Sequence, residues 1–227
     1  MTDVFEPTRA LHIACGFAAV AAGLAPILTK KGSTAHRWAG RVFVALMTTL
    51  LAGAWVMTAL HFSSYNLALS ATASMALFSG VRVLGRKRPD LTARDRARPL
   101  DWIVTLAVVG IGLFVLIQVV TGTNNGPAAV STALAYGALV YGGWDLWRFA
   151  RPMDWPFSPN LWTYEHLVKM LGAYGAVLAA FSGNFLTFLP SPWSQLWPSL
   201  TLQPLAVIWV TVLILRKRRR RTACAPA

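Results

Sequence analysis

The sequence has little charge and few of the signatures that announce a chemistry. Only 13% of its 227 residues are Asp, Glu, Lys or Arg. Its two cysteines, Cys15 in the first apolar run and Cys224 in the tail, fall on opposite sides of a bilayer in the topology argued below. That excludes a disulfide between them, and no cysteine spacing suits a metal. No G-x-S-x-G, P-loop or G-x-G-x-x-G follows a strand, and no segment reads as a strand. Charge is also missing from the middle of the apolar runs, which hold little beyond Gln118, while Pro26 lies near the end of its run. A channel or transporter built on a midplane charge or a broken helix is therefore not expected.

Apolar surface is what the chain has in abundance: 56% of residues are hydrophobic and ten are Trp. Apolar runs near twenty residues long match the roughly 20 residues a helix needs to cross a ~30 Å hydrocarbon core. They predict an all-α polytopic bundle, a single membrane domain over 1–227. The seven expected transmembrane helices lie near 10–28, 40–62, 66–84, 101–121, 127–147, 166–189 and 197–215. Gly and Ala recur along them, as close helix packing in lipid requires.

Seven spans put the termini on opposite sides. Counting alternate loops, twenty of the twenty-one Lys and Arg fall on one side and only Arg9 on the other, so the positive-inside rule predicts an N-out, C-in protein of a bacterial inner membrane. The first run is not expected to be a cleaved signal, because Asp3 and Glu6 precede it and the positive cluster follows. The formal charge of +13 and the terminal R-K-R-R-R-R are read as topology signals resting on anionic lipid headgroups, the expected partners, and not as a nucleic-acid surface. The Trp- and Pro-rich stretches 151–166 and 189–199 are expected at the headgroup level.

Ionisable groups near membrane depth are costly and become functional candidates. His12 and His61 belong to the outer face. His36 and His166 belong to the inner face, with Asp145 ending helix five and Glu165 opening helix six. His36 and His61 are separated by a helical path of about 37 Å, so they serve different faces. Two histidines per face would suit haem b held by paired imidazoles at each surface, in a transmembrane electron carrier. Alternatively His36, His166, Asp145 and Glu165 would suit a divalent metal at the inner face, redox-active or hydrolytic. A third reading is structural or partner-binding, with the carboxylates spent locally: Asp145 on Arg148 or Arg151, and Glu165 on Lys169.

Four stretches carry a resemblance: L-H-I-A-C-G-F-A-A-V-A-A-G at 11–23, K-G-S-T-A-H-R-W-A-G-R-V-F-V-A-L-M at 31–47, Y-G-G-W-D-L-W-R at 141–148, and E-H-L-V-K-M-L-G-A-Y-G-A-V-L-A-A-F at 165–181. With them the chain resembles a bacterial family of multipass membrane proteins without an established activity, known as domain of unknown function 2306. The resemblance implies that His12, His36, His166, Lys169 and Met170 fall on motif positions and His61 does not. Lys169 stands where the family commonly has Arg. It favours an inner site built on His36, Asp145 and His166 over the outer pair.

Overall fold

The computed structural model describes residues 2–152, 159–186 and 188–223, with the backbone alone at 2, 3 and 218–223. Cys224 and the central part of the expected interfacial loop, 153–158, lie outside these residues. Seven helices follow one another: α1 Thr2–Leu28, α2 Thr34–Leu60, α3 Ser64–Arg82, α4 Pro99–Val120, α5 Ala128–Ala150, α6 Leu161–Phe185 and α7 Trp193–Ala223. Short 3-10 turns at Val83–Gly85 and Ala93–Asp95 punctuate the long α3–α4 connection. No strand occurs among the described residues.

Several helices outrun the apolar windows that predicted them, because polar residues continue and cap them. α2 starts at Thr34, since the Ser33 side chain accepts the His36 amide at 3.1 Å and closes the first turn. Before it, Gly32 takes a φ of +77°, the left-handed conformation that lets the chain reverse out of α1. Lys31 completes the reversal by donating to the last carbonyls of α1, Pro26 at 2.7 Å and Ile27 at 2.6 Å.

α3 is the central element and packs on α2, α4, α5 and α6. Apart from Met75 and Leu77 its buried residues are small: Ala68, Ser70, Ala71, Ala73, Ala76, Ser79 and Gly80 among them. Small residues let several helices approach one axis at once, which apolar bulk would prevent. α1 and α2 form an antiparallel pair of constant register, with Phe5 against His61, His12 against Gly53 and Gly16 against Leu50. Gly23 brings α1 close to α6, since a Cβ there would stand 2.4 Å from the Tyr174 ring. Gly40, Gly110 and Gly143 are not closely packed: a Cβ at any of these would meet nothing within 4 Å.

The molecule exposes much apolar surface and buries charged and polar groups beside its apolar core. Leu11, Phe17, Leu24, Ile103, Leu106, Ile117, Val207 and Ile208 are exposed, while Asp101, Thr105, Ser131, Asp145 and Lys169 are buried. Water disfavours so much exposed apolar surface and lipid does not. Five helices are long and apolar enough to cross a membrane, namely α1, α2, α3, α4 and α7. α5 and α6 fall short of that measure because they carry Asp145, Arg148, Glu165 and Lys169 together with many Gly, Ser and Tyr residues.

Candidate functional site

Four helix ends meet at one end of the bundle: the C-terminal turns of α3 and α5 and the N-terminal turns of α4 and α6. Their charged residues meet in pairs that cross between helices. Lys169 of α6 donates to Asp145 Oδ1 of α5 at 2.5 Å and to Ser79 Oγ of α3 at 2.7 Å. The Ser79 hydroxyl donates in turn to the other Asp145 oxygen. Asp145 is 1% exposed and Lys169 2%, so three helices are joined by a charge-assisted network sealed from solvent.

Glu165 of α6 turns the other way. Its Oε1 accepts from Trp144 Nε1 at 2.7 Å and from Arg148 Nε at 3.3 Å, both on α5. On the remaining side Asp101, fully buried in the first turn of α4, accepts from Arg82 Nε at 2.7 Å and Nη2 at 2.9 Å. Asp101 also accepts the Arg98 amide at 2.8 Å and so caps its own helix.

These pairs correct the local ones expected from spacing. Asp145 takes Lys169, not Arg148 or Arg151, and Glu165 takes Arg148, not Lys169. All four side chains are buried where α5 and α6 face each other, so the attraction across the interface is little screened.

Three histidines share one arrangement. His12 Nδ1 lies 2.8 Å from the Leu50 carbonyl oxygen, His36 Nδ1 3.0 Å from that of Pro26, and His166 Nδ1 2.8 Å from that of Gly80. A carbonyl oxygen only accepts, so each Nδ1 must carry the hydrogen. In the neutral ring that leaves Nε2 as the lone-pair nitrogen. Each bond crosses to another helix: α1 to α2, α2 to α1, and α6 to α3. His36 and His166 stand at the same end of the bundle, at the starts of α2 and α6. His61 differs. It ends α2, is exposed, and sets its ring edge-on to Phe5 with centroids 4.6 Å apart. Phe5 lies about 10 Å along α1 from His12, so His12 and His61 share no contact.

The four-ligand inner set is not assembled. Among the described residues no three His, Cys, Asp or Glu side chains come together as metal ligands. Asp145 and Glu165 are committed to Lys169 and Arg148, while the two imidazoles hang on the carbonyls of Pro26 and Gly80. What remains as a donor set is the pair His36 and His166. Ser79, Arg82, Asp101 and Trp144 all do work at this end that their sequence neighbourhoods do not advertise, since Ser79 sits in an ordinary small-residue helix and Arg82 and Asp101 at what read as loop margins.

No family model, curated protein or solved structure matches the chain.

Proposed function

We propose that the chain is a seven-span protein of a bacterial inner membrane, N-out and C-in, and that it acts as a redox protein holding a haem iron or another metal between His36 and His166. The observation that carries the metal reading is the shared hydrogen-bond pattern of these two side chains. Each commits Nδ1–H to a backbone carbonyl and leaves Nε2 for a ligand. A bond of this kind from Nδ1–H fixes the tautomer and orientation of metal-binding imidazoles. A haem iron held by two imidazoles supplies one-electron transfer.

The chain's own residues contribute position and charge. Ser33 and Lys31 fix the turn that carries His36. Gly80 anchors His166 to α3, one residue beyond the Ser79–Asp145–Lys169 network, so the ring sits on the most tightly joined part of the bundle. The membrane reading draws support from the exposed apolar surface and from the twenty Lys and Arg that the alternate-loop count assigns to one side. The family resemblance belongs to the same proposal. Three of its motif positions, His12, His36 and His166, are the histidines that use Nδ1 in this common way.

A second reading is favoured by a different observation: every one of these Nδ1 bonds joins two helices, which is work a purely structural histidine also does. The readings separate on the visible spectrum and elemental analysis of the full chain purified in detergent without chelators. A Soret band supports the redox reading, and a colourless metal near one per chain the hydrolytic one. A colourless, metal-free and folded protein overturns both and leaves the structural one. The hydrolytic reading, if built on Asp145 or Glu165, would require that carboxylate to leave its cation for the metal.

A further inference from the structure

At the histidine end of the bundle the buried and half-buried Lys and Arg side chains among the described residues have partners with one exception. Lys169 has Asp145, Arg148 has Glu165 and Arg82 has Asp101. Arg86, which directly follows the 3-10 turn after α3, is only 9% exposed. Its guanidinium stacks over the Phe149 ring, with 4.7 Å from the central carbon to the centroid. No hydrogen bond or ion pair engages the guanidinium among the described residues, yet none of the three guanidinium nitrogens is sealed from solvent. They open on a cleft between the α3–α4 connection, α5 and α6, lined by Asp95, Asp145, Arg148 and Glu165 among others.

The carboxylates of that cleft do not satisfy Arg86. Asp145 and Glu165 are spent on their own partners, and Asp95 accepts the Arg88 amide at 3.0 Å. Asp101 feels the Arg86 charge, but its oxygens accept from Arg82 and the Arg98 amide. Five guanidinium donors at the mouth of a cleft, held flat by an aromatic ring, want a planar pair of oxygens. From Arg82 to Asp101 the chain has seven basic residues against three acidic ones, a surplus of four positive charges. The cleft itself holds only about 20 Å³, room for roughly one water, so the ligand presents one or two oxygens at the mouth and is not engulfed. Beside it Lys87 lies 5.0 Å from the Trp162 ring centre, and a Trp at the end of an apolar bundle marks the headgroup level.

We infer that Arg86 is the recognition residue of an oxyanion site that takes the phosphate of an anionic phospholipid headgroup on the inner leaflet. The inference rests on the membrane reading and not on the histidines. The guanidinium supplies the bidentate fork, Phe149 its plane, and the surrounding basic loop the long-range attraction.

The test is lipid retention by the full chain in detergent, measured by native mass spectrometry with phosphatidylglycerol and with phosphatidylcholine. Arg86→Gln is compared with Arg37→Gln, an exposed basic residue at the same end. Phosphatidylglycerol is expected to be retained over phosphatidylcholine, and Arg86→Gln to lower that retention about tenfold, the worth of one charge-assisted hydrogen bond. Arg37→Gln should change it less than about twofold. Equal retention by Arg86→Gln and the parent overturns the site. Displacement of the lipid by about 10 mM inorganic phosphate would keep the oxyanion chemistry but overturn the headgroup as its source. Should Arg86→Gln not fold, the parent protein still decides: phosphatidylglycerol must raise its unfolding temperature more than phosphatidylcholine does, and equal shifts contradict the proposal. A colourless protein that still retains phosphatidylglycerol through Arg86 would sink the histidine reading alone.

Discussion

Lys169 and Asp145, 24 positions apart in the chain, close a 2.5 Å ion pair in a place where each is almost fully buried. Ser79 accepts from the first and donates to the second, so α3, α5 and α6 cannot separate without exposing a bare charge. Removing one partner should cost far more than removing both, because the single variant leaves an uncompensated charge in a low-dielectric interior. Lys169→Met is expected to destabilise by about 3–5 kcal/mol in equilibrium unfolding from detergent micelles. Asp145→Leu combined with Lys169→Met should recover most of that loss. A double variant as unstable as the single one contradicts the account of the pair.

The Glu165–Arg148 pair and the Glu6–Arg9 pair are alike in chemistry and opposite in burial. The first has both side chains 7% exposed, the second 62% and 54% for Glu6 and Arg9. Double-mutant cycles to alanine should therefore give a coupling above about 1 kcal/mol for the buried pair and under about 0.5 kcal/mol for the exposed one. Raising the salt concentration should weaken only the second. Equal couplings would show that burial does not set the strength here.

Much of the fold was legible in the sequence, since each of the seven apolar runs proved to be a helix. Their ends were not legible, because hydropathy stops where polar capping residues begin. α6, for instance, starts at Leu161, five residues before the expected boundary at 166. At the site the reach of the sequence was shorter. Glu165 stands four residues before Lys169 and Asp145 three before Arg148, so spacing alone favours the local pairs. The choice of the crossed pairs depends on α3 bringing α5 and α6 together, a long-range fact that no local pattern encodes. His36 was legible as a residue at the start of α2. Its bond to the Pro26 carbonyl was not, because it needs the geometry of the Gly32 turn.

The orientation is tested by accessibility from the outer side. In a variant with both native cysteines replaced, a cysteine at Thr123 should react in intact cells with a membrane-impermeant maleimide, and one at Thr92 only after lysis. Thr123 lies in the α4–α5 connection and Thr92 in the basic α3–α4 connection. Labelling of Thr92→Cys in intact cells would reverse the topology.

Within the basic loop, Arg88 donates to both oxygens of Asp90, at 3.0 and 2.8 Å. The guanidinium holds the Asp90 carboxyl below its ordinary value. A carboxyl depressed in the folded state contributes its contact fully above the unfolded value of about 3.9 and loses it as pH falls through the lower folded one. Carbon NMR of the Asp90 carboxyl should show a midpoint below about 3.9, and Arg88→Gln should return it to the ordinary range. A midpoint unmoved by Arg88→Gln would remove the guanidinium as the cause.

The proposed redox role requires His36 and His166 to present Nε2 to one metal. The most direct measurement compares the visible spectrum and bound metal of the parent with those of His36→Ala, His166→Ala and His12→Ala, each purified folded in detergent. A Soret band or stoichiometric metal should be lost in the first two variants and kept in the third. A signal that survives loss of either inner histidine, or a parent protein with neither colour nor metal, would contradict that role.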